Sequence, residues 1–321
     1  MSQADRWSSE ALRVDREKQI TRVLSLLDSL ARESVSAART YAIEENRALF
    51  EAMRSPGRFV RWLTGRAIKL APERLVEINE LLPELDQAVH ARLIAFERNK
   101  RFGLLKPLVQ RIRDLIRTAD RPLVLADFGS GGMEVERQVI ESLAHEKDHP
   151  LVTFVGFDAS SEAGVLARRN LAARVPEGIS VFQSADACAR WLKEPALIPG
   201  QAVRVAFCRT SILELPQDFA HGTFDVIFHS FFQHHLDARH LRKPEESVAL
   251  GGRVLEYDGF HDWLAMMVVS ILGWNDPVFL AAGMVSHRRL ATRDQVIARS
   301  TNSRLHFYPN GCYLREWRST P

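Results

Sequence analysis

The stretch Val124-Leu125-Ala126-Asp127-Phe128-Gly129-Ser130-Gly131-Gly132-Met133-Glu134 decides how the rest of the chain is read. A hydrophobic run reaches an acidic residue, then a glycine cluster, then a helical pattern from Glu134 onward. Glycine is needed where the backbone turns sharply, or where a ligand approaches it with no side chain between. The start of the following helix offers unpaired N–H groups to such a ligand. Strand, glycine turn and helix in this order predict the first unit of a parallel sheet covered on both faces.

Downstream, the same rhythm continues. Strand-like runs at Val152–Phe157, Val203–Cys208, Phe224–His229 and Val254–Tyr257 alternate with helical stretches, as βαβ crossovers require. With Leu123–Asp127 they predict five parallel strands. Arg304–Tyr308 and Cys312–Trp317 follow, separated by Pro309-Asn310-Gly311, which suits an antiparallel hairpin. The expected fold is α/β, with a Rossmann-like seven-stranded sheet that ends in that hairpin.

Upstream of Arg121-Pro122 the pattern is helical throughout. Ile20, Val23, Leu24, Leu27 and Leu30 form one apolar stripe. A second stretch carries Tyr41, Leu49, Phe50 and Met53, and Ser55-Pro56-Gly57 stops it. Pro72 and Pro83 each stand where a proline can open a helix, ahead of Leu75–Leu82 and Leu85–Phe96. A last helix is expected over Leu104–Thr118. The chain divides into an all-helical N-terminal domain, residues 1–97, and the α/β domain, residues 98–321.

Composition narrows the class. Over 321 residues, 46% hydrophobic and 26% charged excludes a disordered or fibrous chain. A net charge of +3 gives no reason to expect a nucleic-acid partner. The cysteines, Cys188, Cys208 and Cys312, form neither a disulfide framework nor a metal-ligand spacing. The N-terminal MSQADRWSSE lacks a signal layout, and the longest apolar run, Trp263 to Trp274, is too short for a membrane span. A cytoplasmic protein with no membrane partner is expected.

Val155-Gly156-Phe157-Asp158-Ala159-Ser160 is a second strand ending in an acidic residue. A carboxylate at that place in an open α/β sheet can hold ribose hydroxyls. One ligand that fits is a dinucleotide, which would make the chain an NAD(P)-binding oxidoreductase. Its G-x-G-x-x-G pattern fails here, because Glu134 stands at the third glycine position. Nor does any tyrosine stand four residues before a lysine.

The other ligand is S-adenosylmethionine. The ordered set D-F-G-S-G-G (127–132), G-F-D-A-S (156–160), T-S-I-L-E-L-P (210–216), F-D-V-I-F-H-S-F-F-Q-H-H-L (224–236) and L-G-G-R-V-L-E-Y-D (250–258) resembles the class I S-adenosylmethionine-dependent methyltransferases. Within them it is most similar to the ubiquinone/menaquinone and small-molecule, natural-product branch. The resemblance spans about residues 98–317. It implies that Asp127 orients the methionine amino group, that Gly129, Ser130 and Gly131 pass under the methionine tail, and that Asp158 holds the ribose with Ala159 beside the adenine. His229 is expected among the cofactor contacts. Ser211 stands where the family has an acid near the adenine, and Asp186 in Ser184-Ala185-Asp186-Ala187 is the alternative. Met133 stands where the family has its third glycine. S-adenosylhomocysteine would be the product.

Methyl transfer is an in-line displacement, so the protein aligns the acceptor and removes its proton where needed. His235 is the leading base and His234 the second; His235 could equally brace the helix that starts at Leu236. The set of His229, His234, His235, His261, Asp258 and Asp262 does not show helical ligand spacing, so no metal is expected. The Trp263–Trp274 run lines an acceptor pocket or is an ordinary buried helix. Arg288 or Arg289 meets an acidic acceptor or lies in solvent. Arg98, Lys100 and Arg101 read as a solvated helix face, while Asn99 or Arg101 could reach the methionine carboxylate. The expected activity is O-, C- or N-methylation of a small molecule, as in secondary metabolism. The helical region would cover the acceptor, form a homodimer contact, or both. The competing readings are a methyltransferase-like scaffold without turnover and the oxidoreductase.

Overall fold

The computed structural model describes residues 16–33, 36–66, 76–98, 103–146, 149–175, 178–194, 202–215, 222–236, 240–262, 266, 267, 270, 271 and 273–319. The chain forms two compact units, one of residues 1–95 and 261–292, the other of residues 96–260 and 293–321.

The first unit is helical. In the helix Arg16–Ala31 the stripe read from sequence, Ile20, Val23, Leu24, Leu27 and Leu30, is the buried face. The helix Ala37–Met53 begins at Ser36, whose hydroxyl accepts from Arg39 N–H at 3.4 Å, the usual way to satisfy a first-turn donor. Ser55-Pro56-Gly57 does more than stop that helix: Pro56 opens another, Pro56–Arg66, which buries Phe59, Trp62 and Leu63. After Pro83 the helix Asp86–Glu97 follows as expected, and Ile78–Leu81 is all that is helical of the described part of Leu75–Leu82. Pro72 lies outside the described residues.

Residues 261–292 were assigned by sequence to the α/β domain, and the structure corrects this. The helix Pro277–Arg289 sends Leu280, Ala281 and Met284 into the same apolar cluster as Leu27 and Phe50. Arg92 pairs with Asp276, and Arg289 with Glu80 at 3.1 Å, within the same unit. Of the described part of the Trp263–Trp274 run, Met266 enters this core and Trp274 packs against it, while Met267 and Ile271 are exposed; Trp263 lies outside the described residues.

The second unit is built on one sheet of eight strands: β1 (Leu123–Phe128), β2 (Val152–Asp158), β3 (Ser180–Phe182), β4 (Val203–Arg209), β5 (Phe224–Ser230), β6 (Val248–Gly259), β7 (Ser303–Phe307) and β8 (Cys312–Arg318). Their order is β3-β4-β2-β1-β5-β6-β8-β7, parallel as far as β6 and antiparallel in the last two pairings. The five parallel runs and the hairpin stand where the sequence placed them. The count of seven is corrected to eight by β3, an edge strand of three half-buried residues paired to β4. It is too short to show a period.

Alternation along β1 splits the core. Leu125 joins Phe154, Phe207 and Phe228 under the helices Lys106–Arg117, Glu134–Leu143 and Ser161–Leu171, while Ala126 and Phe128 join the other cluster. There Phe128, Phe157 and Phe224 meet edge-on at 5.7, 6.4 and 5.8 Å. Each buried ring contributes about 1.5–3 kcal/mol, so this cluster fixes the sheet's register at its centre. Cys188, Cys208 and Cys312 are buried and free. Among the described residues, no helix is long and apolar enough to cross a membrane.

Candidate cofactor and catalytic site

The glycine turn leaves β1 and is tied to β2. The N–H groups of Gly129 and Ser130 both donate to Phe157 O, at 2.9 and 3.1 Å. Gly129 has φ of 73°, and a Cβ there would collide with the ring of Phe232. The segment after β5 thus lies directly against the turn, which only glycine permits. Met133 also takes a left-handed conformation, with φ of 55°, and donates its N–H to Ser130 O at 2.8 Å. At the position where the resemblance expects a third glycine, Met133 itself holds this left-handed backbone. The buried side chain of Met133 helps offset that strain of about 1–2 kcal/mol.

Asp158 lies across the turn. Its Oδ2 accepts from Gly131 N–H at 2.9 Å, and its Oδ1 from Ser160 N–H at 2.8 Å. Each carboxylate oxygen keeps further acceptor capacity for a hydroxyl. Beside it a cavity of about 440 Å3 is lined by Ala159, Ser184, Asp186, Arg209, Thr210 and Ser211, among others. Both alternatives for the adenine side, Asp186 and Ser211, therefore open on the same space. Ser211 caps the turn Ile212–Glu214 through Leu213 N–H at 3.2 Å, and Ser184 caps the helix Ala185–Lys193.

Several residues that the sequence reading passed over hold the turn from behind. Asn170 donates to Gly132 O at 2.8 Å and to Glu134 at 3.1 Å. Glu134 is buried, and burial pushes its carboxyl up; hydrogen bonds from Arg137 and Gln138 and the charge of Arg98 outweigh this, so it stays below its ordinary value. Arg98 is therefore an ion-pair partner of Glu134 at 2.9 Å, not simply part of a solvated face. Asn99, Lys100 and Arg101 lie outside the described residues.

Asp127 and Glu136 are 2% and 0% exposed, and neither carboxyl oxygen of Glu136 has a hydrogen bond. Burial, then mutual repulsion, holds Asp127 well above the carboxylate range. Burial pushes Glu136 up to about 8. Two buried carboxyls that raise one another's cost of ionising do not both ionise, so the pair keeps a proton at neutral pH. Glu136 was not among the residues singled out by sequence.

After β5 comes the turn Gln233–His235. His234 Nδ1 lies 3.1 Å from Asp258 Oδ2 and 3.2 Å from Oδ1, and its backbone N–H reaches Oδ2 at 3.3 Å. Burial pushes Asp258 up, but His234 and the N–H of Gly259 outweigh it, so the carboxylate is held below its ordinary value. With Nδ1–H donated to Asp258, the basic lone pair of His234 is on Nε2. His235 instead stacks on Phe232, with centroids 6.2 Å apart, and donates its N–H to Phe232 O at 2.9 Å. Of the two histidines, it is His234 that Asp258 orients.

Phe231, beside the dyad, has φ of 52°, a strained value for an aromatic residue, and its N–H donates to Tyr257 O at 2.9 Å. Tyr257 donates to Leu104 O and accepts from Asn310 at 3.3 Å, which leaves it fastened in the core. His229, expected at the cofactor, is 0% exposed, and neither ring nitrogen has a hydrogen bond. Burial lowers it to about 4, so it is neutral and enclosed. His261 and Asp262 belong to the helical unit, where Asp262 N–H donates to His287 at 3.3 Å. Arg288 lies 4.0 Å over the Trp62 ring, and Arg289 pairs with Glu80. Both arginines are thus held by protein groups instead of lying in solvent.

No family model matches the sequence, and no curated protein does. Solved structures do match. The CurJ carbon methyltransferase superposes with a TM-score of 0.50 at 13% identity, over 96% of this chain and 72% of that one. An O-methyltransferase family protein from Burkholderia thailandensis gives 0.48 at 14% identity, over 95% and 85% of the two chains. The plantazolicin methyltransferase BpumL, solved with SAH, gives 0.45 at 12% identity, over 76% and 99%. This chain has the fold of the class I S-adenosylmethionine-dependent methyltransferases. In that methyltransferase fold, the glycine turn and Asp158 lie at the carboxyl ends of β1 and β2, and the His234–Asp258 dyad follows β5 and lies on β6.

Proposed function

We propose that this protein transfers a methyl group from S-adenosylmethionine to a small molecule, with His234 as the general base. The observation that carries the reading is the His234–Asp258 dyad in the segment pressed against the glycine turn at Gly129. When bound, the cofactor would supply an electrophilic methyl on a sulfonium. The backbone of Gly129–Gly131, Asp158 and the cavity by Ala159 suit its nucleoside and tail. Asp186 and Ser211 are side chains that line the space for its base.

His234 Nε2 would take the proton of an acceptor O–H, N–H or acidified C–H, freeing the lone pair directed at the sulfonium methyl, whose bond to sulfur would break to leave S-adenosylhomocysteine. Asp258 holds the imidazole in the required tautomer and stabilises the imidazolium that results. It is a positioning residue. A base of this kind contributes about a hundredfold to ten-thousandfold in rate. Phe231 and Phe232 supply apolar surface, which suits an acceptor with an apolar body.

Incubation with methyl-labelled S-adenosylmethionine and a cell extract, followed by mass identification of the labelled product, tests the reading. A labelled small molecule supports it. Label in RNA or protein alone overturns the acceptor class, and tight binding of NAD with none of S-adenosylhomocysteine overturns the cofactor.

A further inference from the structure

Alternation along β1 fixes where Asp127 points. Leu125 packs under the helix Glu134–Leu143, so Asp127, two positions on, projects to that same face of the sheet. The helix carries Glu136 in its first turn. Glu136 has no exposed surface, while Asp127, which leads into the glycine turn, keeps 2%.

Asp127 Oδ1 and both carboxyl oxygens of Glu136 have no hydrogen bond. The arginines of this region are engaged elsewhere: Arg98 and Arg137 pair with Glu134, and Arg137 also pairs with Glu141. Among the described residues, no arginine, lysine or histidine pairs with Asp127 or Glu136. The other charged groups felt at Asp127 are Asp158 on β2 and Glu97 at the end of the helix Asp86–Glu97, and at Glu136 it is Glu134. All are acids. A buried carboxylate with neither a cation nor a hydrogen bond is too costly to stay charged, so the surroundings keep both carboxyls protonated. Burial accordingly pushes Glu136 up to about 8 and Asp127 well above its ordinary value.

Asp158 already accepts from Gly131 and Ser160, and Glu134 is held by two arginines. Asp127 is thus the acid of the turn that still lacks a cation. The methionine tail of S-adenosylmethionine carries an ammonium, and a cation beside a carboxyl loosens its hold on a proton.

We propose that Asp127 and Glu136 make cofactor binding a proton exchange: at neutral pH the methionine ammonium pairs with Asp127, and one proton leaves the pair for solvent. This rests on S-adenosylmethionine as the cofactor, and adds Glu136 to its site as a positioning residue that acts through Asp127. The charges balance. An uncharged pair becomes one negative charge beside one positive charge, and Glu136 keeps the remaining proton. Above about 8 the free protein has already lost one proton, so the exchange releases none.

Calorimetry on the full chain, run in phosphate and in Tris, counts the protons, because the two buffers differ in protonation enthalpy. S-adenosylhomocysteine should release about one proton at pH 7, declining toward none as pH passes 8. Its affinity should rise about fivefold or more from pH 6 to pH 7. 5′-Methylthioadenosine, which has the nucleoside without the ammonium, should bind more weakly and release none. Glu136→Gln removes the repulsion on Asp127 and supplies an amide donor, so its release should fall below about half the parent's, with a flatter pH dependence of affinity. Groups that titrate elsewhere in the chain are the same in this variant and would leave both readings unchanged. Saturable binding of S-adenosylhomocysteine with equal enthalpy in the two buffers overturns the exchange alone. Equal release with 5′-methylthioadenosine, or undiminished release in Glu136→Gln, overturns the roles of the ammonium and of Glu136. Absence of any binding of S-adenosylhomocysteine overturns the cofactor reading and the exchange with it.

Discussion

Asp258 grips the ring of His234 at Nδ1, 3.1 Å from Oδ2, although the two residues lie 24 positions apart in the chain. The carboxylate is 1% exposed and is also bound by Gly259 N–H at 2.7 Å, so its geometry is fixed before any acceptor arrives. His234→Ala should lower turnover by about a hundredfold to ten-thousandfold with little change in S-adenosylhomocysteine affinity. Asp258→Asn should lower kcat, with less effect on KM, and alter the pH profile. His235→Ala should cost less than either. Steady-state rates across pH, beside calorimetry, check all three, and equal rates in the His234 and His235 variants would remove the dyad from catalysis.

Asp158→Ala removes the acceptor for both Gly131 and Ser160 N–H groups. Affinity for S-adenosylhomocysteine should fall by about tenfold or more, as losing a charged hydrogen-bond partner requires. Calorimetry reads it directly, and unchanged affinity would place the nucleoside elsewhere.

His229 sets an acidic limit on stability. Burial holds it near 4 in the folded chain, while in the unfolded chain it titrates near 6.5. Between these values the unfolded state binds the extra proton, so stability falls as pH drops from 6.5 to 4. The loss amounts to about 3 kcal/mol. His229→Phe should flatten that part of a denaturation-against-pH curve, and an equally steep variant curve would assign the loss to other groups.

The Asp127–Glu136 pair acts at the opposite end. Glu136 keeps its proton up to about 8 when folded and loses it near 4.5 when unfolded. The folded state therefore binds more protons through that window, and the pair's contribution declines as pH rises from 4.5 to 8. Glu136→Gln should leave the melting temperature near pH 5 unchanged and raise it at pH 9. A variant less stable at pH 9 than the parent would contradict this.

Met133→Gly weighs two effects against each other. Glycine relieves the left-handed strain of about 1–2 kcal/mol, but deletes a fully buried side chain whose loss costs about 2–5 kcal/mol. Packing wins. The variant should be less stable by roughly 1–3 kcal/mol in a urea titration. Its affinity for S-adenosylhomocysteine should be unchanged, because the backbone keeps its shape.

Local patterns in the chain disclosed what local physics determines. The glycine turn, the run to Asp158 and the hairpin around Pro309-Asn310-Gly311 follow from short-range periodicity and turn chemistry, and each is found in place. The strand Ser180–Phe182 escaped notice because three half-buried residues carry no alternation. Residues 261–292 were misassigned because an apolar helix reads the same whichever core receives it. Pairings such as Asn170 with Gly132, Asp127 with Glu136 and His234 with Asp258 depend on helix placement and strand register, which no single segment encodes.

Both units are closed by segments far along the chain, and this constrains their birth on the ribosome. The helical core needs Leu280 and Met284 beside Leu27 and Phe50, so a nascent chain that has emerged only to residue 95 lacks part of its own interior. The sheet inserts β8 between β6 and β7, so β6 waits with an open edge until Cys312–Arg318 appears. Such distant closures slow folding and prolong exposure of apolar surface. Vectorial synthesis therefore leaves neither core complete until late in translation, and the growing polypeptide is a natural client for chaperones that shield unfinished hydrophobic faces.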